Sequence, residues 1–406
     1  MRAHLEVGDI FARHGHAYRH SREGHLGRVE RRVMSAIELC RTAALGGHVE
    51  ACQDCTHSRI AYNSCRNRHC PKCQSTAREQ WLEDRQADLL PVPYFHVVFT
   101  VPEQVAQIAF HNKAIVYGIL FNAVAATLKT IARDPRHLGG EVGFLAILHT
   151  WGQALTHHPH IHCLVPGGAL ASTGQWLNTK ARFFLPIHVL SRLFARLFME
   201  QLLAAYAAGL LRFSGELSGL SNAATFAGTA KALRTKKWIV YAKPPFGSPQ
   251  HVLAYLGRYT HRVAIANSRL VSADEDSVAF TWRDYRHANA QKVMSLHPHE
   301  FIRRFLIHTL PDGFHRIRHY GFLANGCRRT KLAIIRQQLA HADQAPVGQS
   351  DIGRAGSTDQ AKKLRPTFNP SICPCCGGTL SVIAALPRWP TQRQREGPSP
   401  PWPDTS

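Results

Sequence analysis

His158-Pro159-His160-Ile161-His162-Cys163-Leu164-Val165-Pro166-Gly167-Gly168 is the stretch on which the fold turns. Residues 160–165 read as a strand, and Pro166-Gly167-Gly168 ends it. On a strand, side chains two residues apart leave the same face. His160 and His162 therefore project together, while Ile161 points into the other layer. Two imidazoles so placed suit one divalent cation. Thr156-His157-His158 adds further imidazole at the strand's entry.

Working outward, Tyr94-Phe95-His96-Val97-Val98-Phe99-Thr100-Val101 is dense in β-branched and aromatic residues and predicts a second strand. Residues 144–150 and 238–242 predict two more, and residues 270–272 and 278–282 a hairpin turned by Asp274-Glu275-Asp276. Helical periodicity covers 29–41, 103–133 and 186–211. Another helix starts at Ser248, with Pro249 in its first turn. The mixture predicts an α+β fold with a largely antiparallel sheet covered by helices.

The helix from Ser248 carries Tyr255 and Tyr259, four residues apart and so on one face, with Arg258 and Arg262 beside them. A tyrosine pair at this spacing is ordinary core by itself. Beside a metal-holding histidine pair it acquires chemistry. A phenol oxygen can attack a phosphodiester and form a covalent phosphotyrosine link, a cation can stabilise the developing charge, and the arginines can steer the backbone.

Cys52 and Cys55 form one CxxC pair, and Cys70 and Cys73 form another. Their separation predicts one structural four-thiolate Zn²⁺ site built from Cys52, Cys55, Cys70 and Cys73. Cys65, His57 and His69 lie inside the loop and could replace a ligand or build a second site, but they read first as supporting or packing residues, and Cys40 as core. Arg66 and Arg68 would turn positive charge toward a phosphate backbone. Cys373-Pro374-Cys375-Cys376-Gly377-Gly378 is half a zinc knuckle. No second CxxC follows it, so it makes a site only if a distant residue completes one.

Lys and Arg number 49 against 27 Asp and Glu, a net charge of +22 over 406 residues. That excess points to a polyanionic partner, most simply nucleic acid. Further basic candidates are Lys231, Arg234, Lys236 and Lys237, then Arg303, Arg304, Arg316 and Arg318. Met1-Arg2-Ala3-His4-Leu5-Glu6-Val7 lacks the apolar core of a signal peptide. No run of 18 apolar residues occurs, the nearest stretch, 193–211, being broken by Arg196, Glu200 and Gln201. The expectation is a cytoplasmic, nucleoid-associated protein with reduced cysteines and no membrane partner.

The residues 158–168 resemble the His-hydrophobic-His motif of HUH endonucleases. Tyr255-Leu256-Gly257-Arg258-Tyr259-Thr260-His261-Arg262 resembles the paired-tyrosine motif of the rolling-circle transposases in that group. Asn63-Ser64-Cys65-Arg66-Asn67-Arg68-His69-Cys70-Pro71-Lys72-Cys73-Gln74 is similar to their N-terminal zinc-binding region. Glu300-Phe301-Ile302-Arg303-Arg304-Phe305-Leu306 and Arg316-Ile317-Arg318-His319-Tyr320-Gly321 match as well. Together, over about residues 10–330, they resemble the insertion-sequence 91 family of two-tyrosine transposases. The resemblance implies nicking of one DNA strand, 5′-linkage through tyrosine and single-strand transfer. It also implies Mg²⁺ or Mn²⁺ at His160 and His162, with a third ligand among Gln250, His251, His157 and His261.

Three domains are expected: a zinc- and DNA-binding domain at 1–88, an HUH catalytic domain at 89–330, and a mostly disordered extension at 331–406. The rival readings are a replication initiator or relaxase with the same chemistry, and a zinc-containing DNA-binding protein without catalysis.

Overall fold

The computed structural model describes residues 5–179, 184–243, 246, 251–252, 257, 263–284, 287, 289–343 and 372–388. The chain opens with α1 (Val7–Ser21) and α2 (Arg28–Glu38), then the antiparallel hairpin β1 (Gly47–Cys52) and β2 (Ser58–Tyr62). Helix α3 (Pro71–Gln86) starts at Cys70, with Pro71 in the first turn, where its missing N–H costs nothing.

β3 (Tyr94–Thr100) follows, then α4 (Glu103–His111) and α5 (Lys113–Arg133). The helix expected over 103–133 is thus two helices. Asn112 separates them, its side chain engaging the backbone of Ile108 and Arg212 instead of continuing the spiral. β4 (Phe144–Trp151) and β5 (His157–Pro166) come next, then the small hairpin β6 (Gly168–Leu170) and β7 (Trp176–Asn178). Helices α6 (Ile187–Ala207) and α7 (Ala223–Thr235) lead to β8 (Ile239–Lys243).

The expected hairpin is β9 (Leu270–Ala273) and β10 (Val278–Asp284), and a third strand, β11 (Ala290–Leu296), extends it. Asp274 accepts the Asp276 and Ser277 amides and so fixes the turn. Then come α8 (Pro298–Leu306), β12 (Ile317–Tyr320), α9 (Arg328–Asp343) and β13 (Leu380–Leu386). Gly321 leaves β12 at φ +59, where a Cβ would collide with the Val142 carbonyl oxygen. No other residue type fits there.

The central sheet runs β12-β4-β5-β3-β8 with every neighbour antiparallel. Its strands alternate. Phe95, Val97, Phe99, Ala146, Leu148, Ile161, Cys163 and Val165 turn to one face and share a core with α5 and α6. Burying each large apolar side chain there is worth about 1.5–3 kcal/mol. Helix α5, rather than the 193–211 stretch, is the most apolar. Its length and composition would suffice to cross a membrane, yet most of it is buried in this core.

On the opposite face, Tyr94, Leu145, Ile147 and Leu164 meet Trp81 and Leu82 of α3 and Val252. Cores cross the expected boundary near residue 88. Phe11 of α1 packs edge-on against Phe305 of α8 at 5.3 Å, and both share a cluster with Phe280 of β10. Within the extension expected to be mostly disordered, 372–388 is ordered and β13 pairs with β1, while 344–371 and 389–406 lie outside the described residues.

Candidate functional site

His160 and His162 lie where the sequence puts them, two apart on β5, the middle strand of the sheet. Register supplies a third imidazole. His149 of β4 sits directly opposite His160, so it leaves the same face. One ring nitrogen from each of the three lies within 4.8 Å of the others. Ligands about 2.1 Å from one ion stand roughly 3–4 Å apart, so the cluster needs little adjustment to hold one.

Neighbours set the tautomers. His160 Nδ1 donates to the His158 carbonyl at 2.6 Å, which leaves its Nε2 lone pair for a ligand. His162 Nδ1 lies 2.8 Å from His96 Nε2, the two rings stacked at 5.0 Å. Donation from His162 Nδ1 leaves its own Nε2 as the lone pair. Burial pushes His160 down to about 4, and burial with the charges of His149 and His160 holds His162 well below the usual range. Both are therefore neutral at pH 7, the form that binds metal.

The three imidazoles line a cleft of about 610 Å³, faced from the second sheet by Trp282, Arg283 and Asp284 and by the nearby Arg269. Three protein ligands opening onto a cleft leave coordination positions for solvent or substrate, unlike a closed structural site.

Of the four expected third ligands, His157 and His251 lie among the described residues. His157 bonds Tyr117 Oη at 2.7 Å, away from the cluster. His251 is helical and exposed. Gln250 and His261 lie outside the described residues, as do Tyr255, Tyr259, Arg258 and Arg262.

The single four-cysteine site expected from Cys52, Cys55, Cys70 and Cys73 is corrected by the structure. Cys70 and Cys73 join Cys40 and Cys65, while Cys52 and Cys55 join Cys373 and Cys376. Cys73 Sγ lies 3.5 Å from both Cys40 and Cys65, and four thiolates around one zinc stand about 3.8 Å apart. Hydrogen bonds from Cys40, Cys65 and Cys70 hold the Cys73 thiol well below its usual range, toward the ligand form. The physical reason is topological. The β1–β2 hairpin carries Cys52 and Cys55 away from the start of α3, and the turn after α2 brings Cys40 there instead. Cys40 and Cys65, expected as core and support, are thus part of a closed sulfur set.

His69 is buried and accepts the Leu310 amide at 3.3 Å, with burial pushing it down to about 3. Arg68 is turned from its expected DNA role to an internal strut, donating to the carbonyls of Leu310, Pro311 and Phe314. Arg66 is exposed. Arg303 and Arg304 of α8 both bond Glu300. Lys236 and Lys237 line a groove of about 1020 Å³ between α6 and β8, with Arg192, Arg196 and Arg234.

Comparison with known proteins decides the family. A Sinorhizobium fredii protein named "Putative transposase y4qJ" is 60% identical over 342 residues, which span 84% of this chain and 86% of that protein. The chain belongs to the insertion-sequence 91 family of transposases. The transposase for insertion sequence element IS801 of Pseudomonas savastanoi pv. phaseolicola is 27% identical over 369 residues, 90% of this chain and 86% of that one. A family model described as "Putative transposase" matches residues 143–331, which include β4, β5 and all three clustered histidines. A second, "Transposase zinc-binding domain", matches residues 10–101. That region of this transposase holds Cys40, Cys65, Cys70 and Cys73, a complete sulfur set for a structural Zn²⁺. It also holds Cys52 and Cys55, half of another.

Proposed function

We propose that this transposase nicks and transfers single-stranded DNA, with Tyr255 and Tyr259 as nucleophiles and His149, His160 and His162 as the holders of Mg²⁺ or Mn²⁺. The observation that carries the reading is the imidazole triad facing a cleft on the same sheet face that seats Val252. His251 and Val252 are helical, and Val252 is buried against Leu145, Ile147 and Leu164 of that face. Tyr255 and Tyr259 follow Val252 by three and seven residues, the spacing of one helix face. On a helix, that spacing sets both tyrosines on the face that carries Val252, which supports them as the nucleophiles.

The chemistry balances without an energy source. The tyrosine oxygen attacks phosphorus, the bond to the 3′-oxygen breaks, and the phosphate stays on its 5′ side joined to tyrosine. The phenol proton passes to solvent, and the departing 3′-oxygen takes one up. Attack by a free 3′-hydroxyl reverses the step and joins strands. A bound cation would supply charge stabilisation for the non-bridging oxygens. An all-nitrogen set ranks Mn²⁺ above Mg²⁺, which prefers oxygen.

Preference for a single strand is supported by the sheet's edge. Through β3, Tyr241 and Lys243 of β8 lie in the same rows as His162 and His96, on the same face. Two strand spacings make that about 10 Å. Tyr241 is 51% exposed on an edge strand, beside the basic groove of Lys236 and Lys237. An exposed aromatic next to a basic groove is how unpaired bases and their backbone are held together. A DNA substrate and zinc-ligating thiols, which persist in a reducing compartment, support work in the cytoplasm.

The test is covalent capture. Wild-type protein with Mn²⁺ and labelled single-stranded oligonucleotides from the flanks of its gene should yield a denaturation-resistant adduct. The Tyr255→Phe/Tyr259→Phe variant should yield none. An adduct in that variant refutes the nucleophiles, and no adduct in wild type leaves a DNA-binding protein without this chemistry.

A further inference from the structure

We infer that Cys52, Cys55, Cys373 and Cys376 hold a second zinc ion, which clasps the C-terminal segment onto the N-terminal hairpin. The inference is independent of the nucleophile assignment. Residues 373–376 fall outside both family matches. In sequence they are half a knuckle without a partner, and Cys52 and Cys55 are the half left over when Cys40, Cys65, Cys70 and Cys73 close on one another.

The two halves meet. Cys52 Sγ lies 3.4 Å from Cys376 Sγ, and Cys55 Sγ lies 3.6 Å from Cys373 Sγ, near the spacing of about 3.8 Å for thiolates sharing a zinc. Both turns are built for ligation. The Asp54 amide donates to Cys52 Sγ at 3.4 Å, and the amides of Cys375 and Gly378 donate to Cys373 and Cys376 at the same distance. Amide donors to sulfur favour the thiolate and orient it. Gly377, at φ +78, closes the C-terminal turn, its amide reaching the Cys373 carbonyl at 3.0 Å.

Backbone pairing fixes the approach of the two turns. β13 runs antiparallel to β1 from Gly47 opposite Leu386 to Cys52 opposite Leu380. The Gln53 amide continues the ladder to the Thr379 carbonyl, and Gln53 Nε2 donates to Ser381 Oγ at 2.7 Å. A zinc here joins residues 318 apart in the chain, so it constrains the unfolded chain far more than a local knuckle would. It also holds β13 over the β1 edge, whose amides and carbonyls would otherwise stand open to other chains. The C-terminal segment is then a structural part of the zinc-binding region. Cys375 is exposed beside His57 and belongs to neither set.

The experiment is metal analysis of the full-length chain purified under reducing conditions. Wild type and Cys375→Ser should each carry two zinc ions. Cys373→Ser/Cys376→Ser should carry one, with faster hydrogen exchange at 47–52 and 372–388 and unchanged exchange at 71–86. One zinc in wild type, or two in the double variant, overturns the clasp. Should the double variant not fold, wild type produced with cobalt decides: two Co²⁺ with thiolate charge-transfer absorption support the clasp, and one refutes it.

Discussion

The molecule has two kinds of clustered ligand-type side chains, and they are opposite in design. On the central sheet, three imidazoles from adjacent strands share one face, held by ladder register and opening onto a cleft. In the cysteine-rich region, four sulfurs close around one point and bring together the turn after α2, the loop before α3 and the start of α3. Three ligands with an open side suit chemistry, and four closed sulfurs suit structure. The strands would keep the imidazole site formed without metal, whereas the sulfur site has little but metal to hold it. The two are mechanically joined, because α3 starts at the sulfur cluster and packs Trp81 and Leu82 onto the imidazole-bearing face.

Disabling each site alone should have opposite effects. His160→Ala or His162→Ala should cut oligonucleotide nicking at least about 100-fold, the several kcal/mol a catalytic cation supplies, with zinc content and melting unchanged. Cys70→Ser should do the reverse, losing one zinc ion and lowering the thermal midpoint, with nicking failing only as the protein unfolds. A Cys70→Ser protein with wild-type zinc and stability would show that the sulfur cluster is not a metal site.

His96→Ala follows, since His96 bonds His162 and is not itself one of the three clustered imidazoles. It should weaken Mn²⁺ affinity about 10–100-fold, as loss of a ligand-orienting partner does, with zinc unaffected. Smaller again, Tyr241→Ala should weaken single-stranded DNA binding by ~1–3 kcal/mol. Lys236→Gln/Lys237→Gln should lower the slope of log affinity against log salt by about 1.4.

The mildest test is pH. Burial pushes His157 and His319 down to about 4 and His308 well below its usual range. The unfolded chain binds protons first, so stability is full above about pH 6.5 and is lost as pH falls toward 4. The denaturation midpoint should therefore drop from pH 7 to pH 5.5, and an unchanged midpoint would contradict the neutral burial of these rings.

Much of this was legible in the sequence because the signals were local. Strand-like apolar runs marked β3, β4 and β5, and the spacing of His160 and His162 gave their common face. What was not legible depends on register and on distant pairing. Nothing near His149 marks it as a ligand. It is proposed as one only because β4 and β5 align it with His160. The four N-terminal CxxC cysteines read as one set, and the structure divides them between two, because spacing alone does not reveal that β1 and β2 separate the pairs. Arg68 read as surface charge, and three backbone carbonyls some 240 residues away make it internal.

His149 carries the central claim, since only the fold nominates it. Mn²⁺ titration of zinc-loaded wild type and His149→Ala, followed calorimetrically, tests it directly. Wild type should show one Mn²⁺ site and the variant at least tenfold weaker binding, with zinc content unchanged. Wild-type Mn²⁺ affinity in His149→Ala would contradict a three-imidazole site on this sheet.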